Sequence, residues 1–84
     1  MTPLHDLLAR IRWDPAFGRG RFEIAYWDRV EQALIRVDLR EIHDDPESRF
    51  GFLLTDADGR VHWVPYHRVR QVWRDGAPIW QRAP

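Results

Sequence analysis

Three short stretches of this chain gather side chains that could hold an anion beside a flat ring: Asp28-Arg29, Tyr66-His67-Arg68 and Trp80-Gln81-Arg82. A guanidinium is a planar fork of donors that can meet phosphate oxygens in pairs. Imidazole donates from one nitrogen in either tautomer, or from both as imidazolium. Each stretch also has a plainer reading. Asp28 could orient Arg29 or accept from a hydroxyl, or the two could be a surface ion pair contributing about 0–1 kcal/mol. His67 could be a core-edge histidine bonded to backbone. If His67 and Arg68 lie on one regular strand they point to opposite faces, and only a bend lets both reach one ligand. Trp80 and Arg82 share a strand face by their spacing of two, yet Trp80 could be core and Arg82 a solvated tail. Trp13 is open to either role, whereas Trp27, Trp63 and Trp73 read as packing residues.

The segments that must position these residues change period once. Thr2-Pro3 reads as a helix start, with Thr as N-cap and Pro at the first helical position. Leu4, Leu7, Leu8 and Ile11 then form one apolar stripe of an amphipathic helix. Trp13-Asp14-Pro15 ends it, because the residue before a proline is pushed out of the helical region. From Arg21 onward the period is two. Strands are expected over 21–26, 35–40, 50–55, 60–64, 66–74 and 77–81, with His43 to Ser48 as a polar loop. Asp56-Ala57-Asp58-Gly59 and Asp75-Gly76 are hairpin connections with glycine available for positive φ. Val69 and Val72 break alternation in the fifth strand, which predicts a bulge or bend. Pro78 restricts the last strand to a sheet edge. The fold class is therefore α+β: an N-terminal helix packed on a small curved antiparallel sheet, or a partly open barrel, of five or six strands.

Eighty-four residues make one domain, read here as spanning 1–84. A chain this short buries only about 60% of its unfolded surface, so its core must be dense. Five Trp, four Phe and two Tyr answer that demand, since each ring buries roughly 150–250 Å². There is no cysteine, hence no disulfide or thiolate metal site, which is compatible with a reducing compartment. No basic stretch precedes an apolar run, so no signal peptide is expected. No segment approaches the roughly 18 apolar residues of a membrane span. A cytoplasmic monomer is the expectation. Thirteen basic residues balance thirteen acidic ones, which argues against non-specific duplex binding. All thirteen basic residues are arginine; they suit phosphate recognition, and they equally suit the codon usage of a GC-rich genome.

Taken in order, Ile11-Arg12-Trp13-Asp14-Pro15, Tyr26-Trp27-Asp28-Arg29, and Val64-Pro65-Tyr66-His67-Arg68-Val69 followed by Asp75-Gly76 and Ile79-Trp80-Gln81-Arg82 resemble the RNA cyclic group end recognition domain family. The resemblance covers nearly the whole chain and is most specific toward the C-terminus. It implies a binding module for RNA 3′ ends, probed at a 2′,3′-cyclic phosphate, in RNA repair or processing. The implied partners are RNA and an RNA ligase, phosphoesterase or nucleotidyltransferase, with no cofactor. It implies a site drawn from Asp28, Arg29, Tyr66, His67, Arg68, Trp80 and Arg82, with Trp13 as a further stacking ring. A cyclic phosphate is a five-membered ring with one negative charge. Its recognition needs a shaped pocket, one or two charge-assisted donors, and a surface for the last base.

Three rivals follow from the residues. A cyclic phosphodiesterase would need positioned acid and base groups; His62 and His67 could be such a pair, but neither His62-Trp63-Val64 nor His67-Arg68-Val69 carries the hydroxyl residue of two-histidine phosphodiesterases. A metal site could use His43-Asp44-Asp45, although this spacing matches no zinc or calcium motif and reads first as a solvated acidic loop. A tether for an RNA-processing enzyme could dock a partner strand on the edge near Pro78.

Overall fold

The computed structural model describes residues 3–82. Helix α1 runs Leu4–Trp13. Pro3 is extended and its carbonyl accepts from the Asp6 and Leu7 amides at 3.1 and 3.2 Å. Pro3 is thus the residue before the helix, one place earlier in role than expected; the Thr2 cap lies outside the described residues. The helix ends where predicted: Asp14 is extended, and its Oδ1 accepts from the Ala16 and Phe17 amides at 3.1 and 3.2 Å. An aspartate that satisfies the next two turns of backbone in this way competes with helix continuation.

Seven strands follow among the described residues: β1 Phe22–Asp28, β2 Ala33–Asp38, β3 Ile42–Asp45, β4 Ser48–Thr55, β5 Val61–Pro65, β6 Val69–Arg74 and β7 Ala77–Gln81. They form two antiparallel sheets, one in the order β2-β1-β6-β7 and one in the order β3-β4-β5, with no closed barrel. The α+β class and curved sheet hold. The count of five or six strands does not, because β3 was read as part of a loop. Its sequence Ile42-His43-Asp44-Asp45 is too polar for a strand signal, and only pairing with Phe52, Leu53 and Leu54 draws it into the sheet.

Two 3-10 turns carry the chain between the sheets. Leu39–Glu41 leads from β2 to β3, and Tyr66–Arg68 leads from β5 to β6. The first stops β2 at Asp38, whose side chain caps the turn by accepting from the Arg40 amide at 2.9 Å. The second interrupts what reads in sequence as one strand from Tyr66 to Arg74. The bulge expected from Val69 and Val72 is present: Ile24 opposes Val72 and Tyr26 opposes Val69, so the β6 side carries one extra residue. Pro78 lies in β7, at a sheet edge. Asp75 and Gly76 both take positive φ, 51° and 85°, which gives the tight two-residue hairpin its mirror-image turn.

Both sheets and the helix share one core. Ile24, Tyr26, Val69, Val72 and Trp80 come from the four-stranded sheet, Phe52, Leu54 and Val64 from the other, and Leu4 and Leu7 from α1. Trp63 departs from its expected packing role. It lies across Gly51, where an added Cβ would sit 2.5 Å from the indole, and remains 46% exposed.

Candidate functional site

The second 3-10 turn places Tyr66 between two concavities, both of which it lines. Its ring packs on Phe52 at 5.3 Å and meets the His5 ring edge-on at 5.0 Å. Its hydroxyl donates to Asp44 Oδ1 at 3.4 Å, and Arg12 donates to the other Asp44 oxygen. Burial first, and the adjacent Asp44 carboxylate second, raise the Tyr66 pKa above the usual 10.0, so the phenol stays a neutral donor.

On one side of Tyr66 is a cleft of about 330 Å³. The start of α1 supplies Leu4 and His5, with Pro3 just before it; the turn supplies Tyr66 and His67; β7 supplies Trp80, and Arg82 follows it. Trp80 is buried, at 7% exposure, and forms part of the core as well as the cleft. Arg82 is not a solvated tail. Its Nε donates to the Val69 carbonyl at 2.9 Å, its Nη2 to the Tyr66 carbonyl at 3.3 Å, and its guanidinium lies 5.2 Å from the Trp80 ring centroid. These contacts fix the guanidinium, while Nη1 makes no hydrogen bond among the described residues. Among the described residues the lining holds one Arg and two His and no acidic side chain.

On the other side of Tyr66 is a groove of about 880 Å³, bounded by α1, the Leu39–Glu41 turn and the β3–β4 hairpin. His5 and Tyr66 line both cavities. Trp13, the last residue of α1, is 77% exposed and lines the groove, not the cleft.

Of the residues singled out in sequence, the structure brings Tyr66, His67, Trp80 and Arg82 together and leaves the others apart. Asp28 closes the β1–β2 turn, its Oδ1 accepting from the Val30 and Glu31 amides at 2.9 and 3.2 Å. Arg29 is exposed in that turn and does not line the cleft. Arg68 is half-buried and outside the cleft lining, because successive side chains of a three-residue-per-turn helix diverge. His5 was missed. Its signal was a second stripe on the helix, His5, Leu8, Ala9, Arg12 and Trp13, at i, i+3, i+4, i+7 and i+8, one face by helical spacing, with every member on the groove.

The rival pairings fare differently. His62 sits near the β4–β5 connection with Nε2 2.6 Å from Asp56 Oδ2, while His67 lies beyond the other end of β5. Among the described residues no group of three His, Cys, Asp or Glu could hold a metal ion. Among them too, no helix is long and apolar enough to cross a membrane.

Fold and cleft define a class: a small one-helix, two-sheet module whose cleft offers arginine and imidazole donors beside aromatic rings. The particular family is given by the match of residues 1–82 to the MJ1316 RNA cyclic group end recognition domain, and the chain belongs to that family. The resemblance carried by the motifs around Trp13, Asp28-Arg29 and Tyr66-His67-Arg68 is thus a membership, in a family named for recognising RNA ends that bear a cyclic group. No curated protein and no solved structure matches the chain.

Proposed function

We propose that this chain is a non-catalytic module that binds RNA 3′ ends, with a 2′,3′-cyclic phosphate seated in the cleft between α1 and the Tyr66–Arg68 turn. One observation carries the reading. In a chain of zero net charge, the cleft collects Arg82, His5 and His67 and, among the described residues, no acidic side chain. Arg82 Nη1 and the two imidazoles are the donors for the phosphate oxygens, at the charge-assisted strength that an anion confers. The N-terminal end of α1 adds the positive end of its dipole. The Tyr66 ring, held by Phe52 and His5, flanks the ribose. Trp80 supports the cleft from the core.

What supports binding over catalysis is the family's name, which is for recognition. His62, the partner of His67 in the two-histidine rival, is engaged by Asp56 at the far end of β5. Acting as a monomer in the cytoplasm, the module would deliver a ligase, phosphoesterase or nucleotidyltransferase to an end in RNA repair or processing. Asp28, Arg29 and Arg68 are outside the cleft and contribute at most peripheral contacts.

The test is one short RNA with three 3′ ends, cyclic phosphate, linear phosphate and hydroxyl, titrated at fixed salt because salt alone moves such affinities greatly. A preference for the cyclic end that disappears in His67→Ala supports the reading. Equal weak binding of all three ends overturns it and leaves the tether.

A further inference from the structure

We propose that the groove along α1 seats the nucleotides that precede the RNA terminus, so that the module reads a short single-stranded 3′ segment and not the phosphate alone. This rests on the cleft being the seat of the terminus. The two cavities share a wall, His5 and Tyr66, so a strand whose last phosphate enters the cleft has the groove as its adjoining path. The helix stripe from His5 to Trp13 spans about 12 Å at about 1.5 Å per residue. That accommodates about three nucleotides, whose rise in a stacked strand is about 3.4 Å.

The lining fits bases better than backbone. Leu8, Ile11, Phe22, Leu39 and Ile42 give the groove apolar surface suited to ring faces. Trp13, 77% exposed at the far end, offers an indole for the last base of the segment to stack on. Much of the charge is already neutralised: Asp38 bonds Arg21 and Arg40, and Asp44 bonds Arg12. Arg49 lines the groove and makes no hydrogen bond or ion pair among the described residues, which leaves its guanidinium for a phosphate. Asp45 and Glu47 line the groove on the same β3–β4 hairpin as Arg49 and repel phosphate, so backbone contact is confined to Arg49. A groove with one unpaired arginine touches few phosphates, and the salt dependence of binding should be correspondingly shallow.

The experiment titrates the full chain with RNAs of one to six nucleotides, all ending in a cyclic phosphate, at fixed salt. Affinity is expected to rise about tenfold or more from one nucleotide to four and then level off. Trp13→Ala and Arg49→Ala should each remove most of that rise, with unchanged affinity for the single nucleotide and an unchanged melting temperature; Trp13→Phe should keep it. Equal affinity at all lengths, with the cyclic end still preferred, overturns the groove assignment alone and leaves that surface to a protein partner. A rise that continues past four nucleotides and survives both substitutions also overturns it, since generic backbone attraction then explains the gain. Loss of end-group preference at every length overturns the cleft reading instead.

Discussion

The cleft and the groove meet at His5 and Tyr66 and are otherwise built on opposite plans. The cleft is the smaller, about 330 Å³ against about 880 Å³, and its lining carries Arg82 and two imidazoles with no acidic side chain among the described residues. The groove mixes both signs and cancels several of them in ion pairs between elements. The difference shows how a chain of zero net charge can still separate its charges locally. Acidic side chains of the described residues stay out of one concavity without any excess of positive charge overall. It also separates the kinds of residue involved: the cleft leans on the core through Trp80, whereas the groove is lined by the exposed stripe of α1.

The largest expected effect tests that reliance on the core. Trp80→Ala should destabilise the domain by about 3–5 kcal/mol, the range for truncating a buried aromatic ring. A small domain has about 5–15 kcal/mol in all. Urea unfolding would show the loss as a lowered midpoint, and Trp80→Phe should recover most of it. An unchanged midpoint in Trp80→Ala would mean that the ring is not a support, and the contrast between core-backed cleft and exposed groove would fail.

The next effect is smaller and divides the sequence-derived site in two. His67→Ala should weaken binding of a cyclic-phosphate RNA about tenfold to a hundredfold, as the roughly 1.5–3 kcal/mol of a hydrogen bond to a charged group implies. His5→Ala should do the same. Arg29→Ala should change affinity by less than about twofold, because its turn lies outside the cleft. Both histidines are exposed, so melting temperatures should hold. A tenfold loss in Arg29→Ala with none in His67→Ala would move the site to the β1–β2 turn.

How much of this was legible in the sequence depended on whether a residue's partners were local. β1, β7 and the Asp75-Gly76 turn follow from alternation and from glycine at positive φ, both written within a few residues. Pro78 on an edge and the bulge beside Val69 were legible for the same reason. β3 was not, because Asp44 and Asp45 become strand residues only through pairing with β4. The split of Tyr66–Arg74 into a turn and a strand was hidden as well, since Tyr66 is held by Phe52 and His5, far along the chain. The site was half legible. Motif order pointed to Tyr66, His67, Trp80 and Arg82, but Asp28-Arg29 came with them although Asp28 serves its own turn. His5 escaped notice because an isolated histidine on the polar side of a helix has no meaning until the stripe it heads is seen to face a cavity.

The smallest effect sharpens the groove side of the comparison. Asp38 accepts from the Arg40 side chain and amide and pairs with Arg21 at 3.3 Å. The Arg40 side-chain bond first, and its amide second, lower the Asp38 pKa from 3.8 to about 2. A folded-state pKa below the unfolded one contributes stability that is complete above the unfolded value and is lost as pH falls through the folded value. The contribution should therefore fade as pH falls from 3.8 toward 2. Both guanidiniums are largely solvent-exposed, at 83% and 67%, so solvent screening holds the whole effect under about 1 kcal/mol. Asp38→Asn keeps an oxygen to cap the turn and removes only the charge. Its stability deficit, followed by urea unfolding at stepped pH, should be present near neutrality and shrink across that acid window. A deficit that stayed constant with pH would assign Asp38 to backbone capping alone. Preference for the cyclic end should not change at neutral pH in this variant, because Asp38 lines the groove and not the cleft.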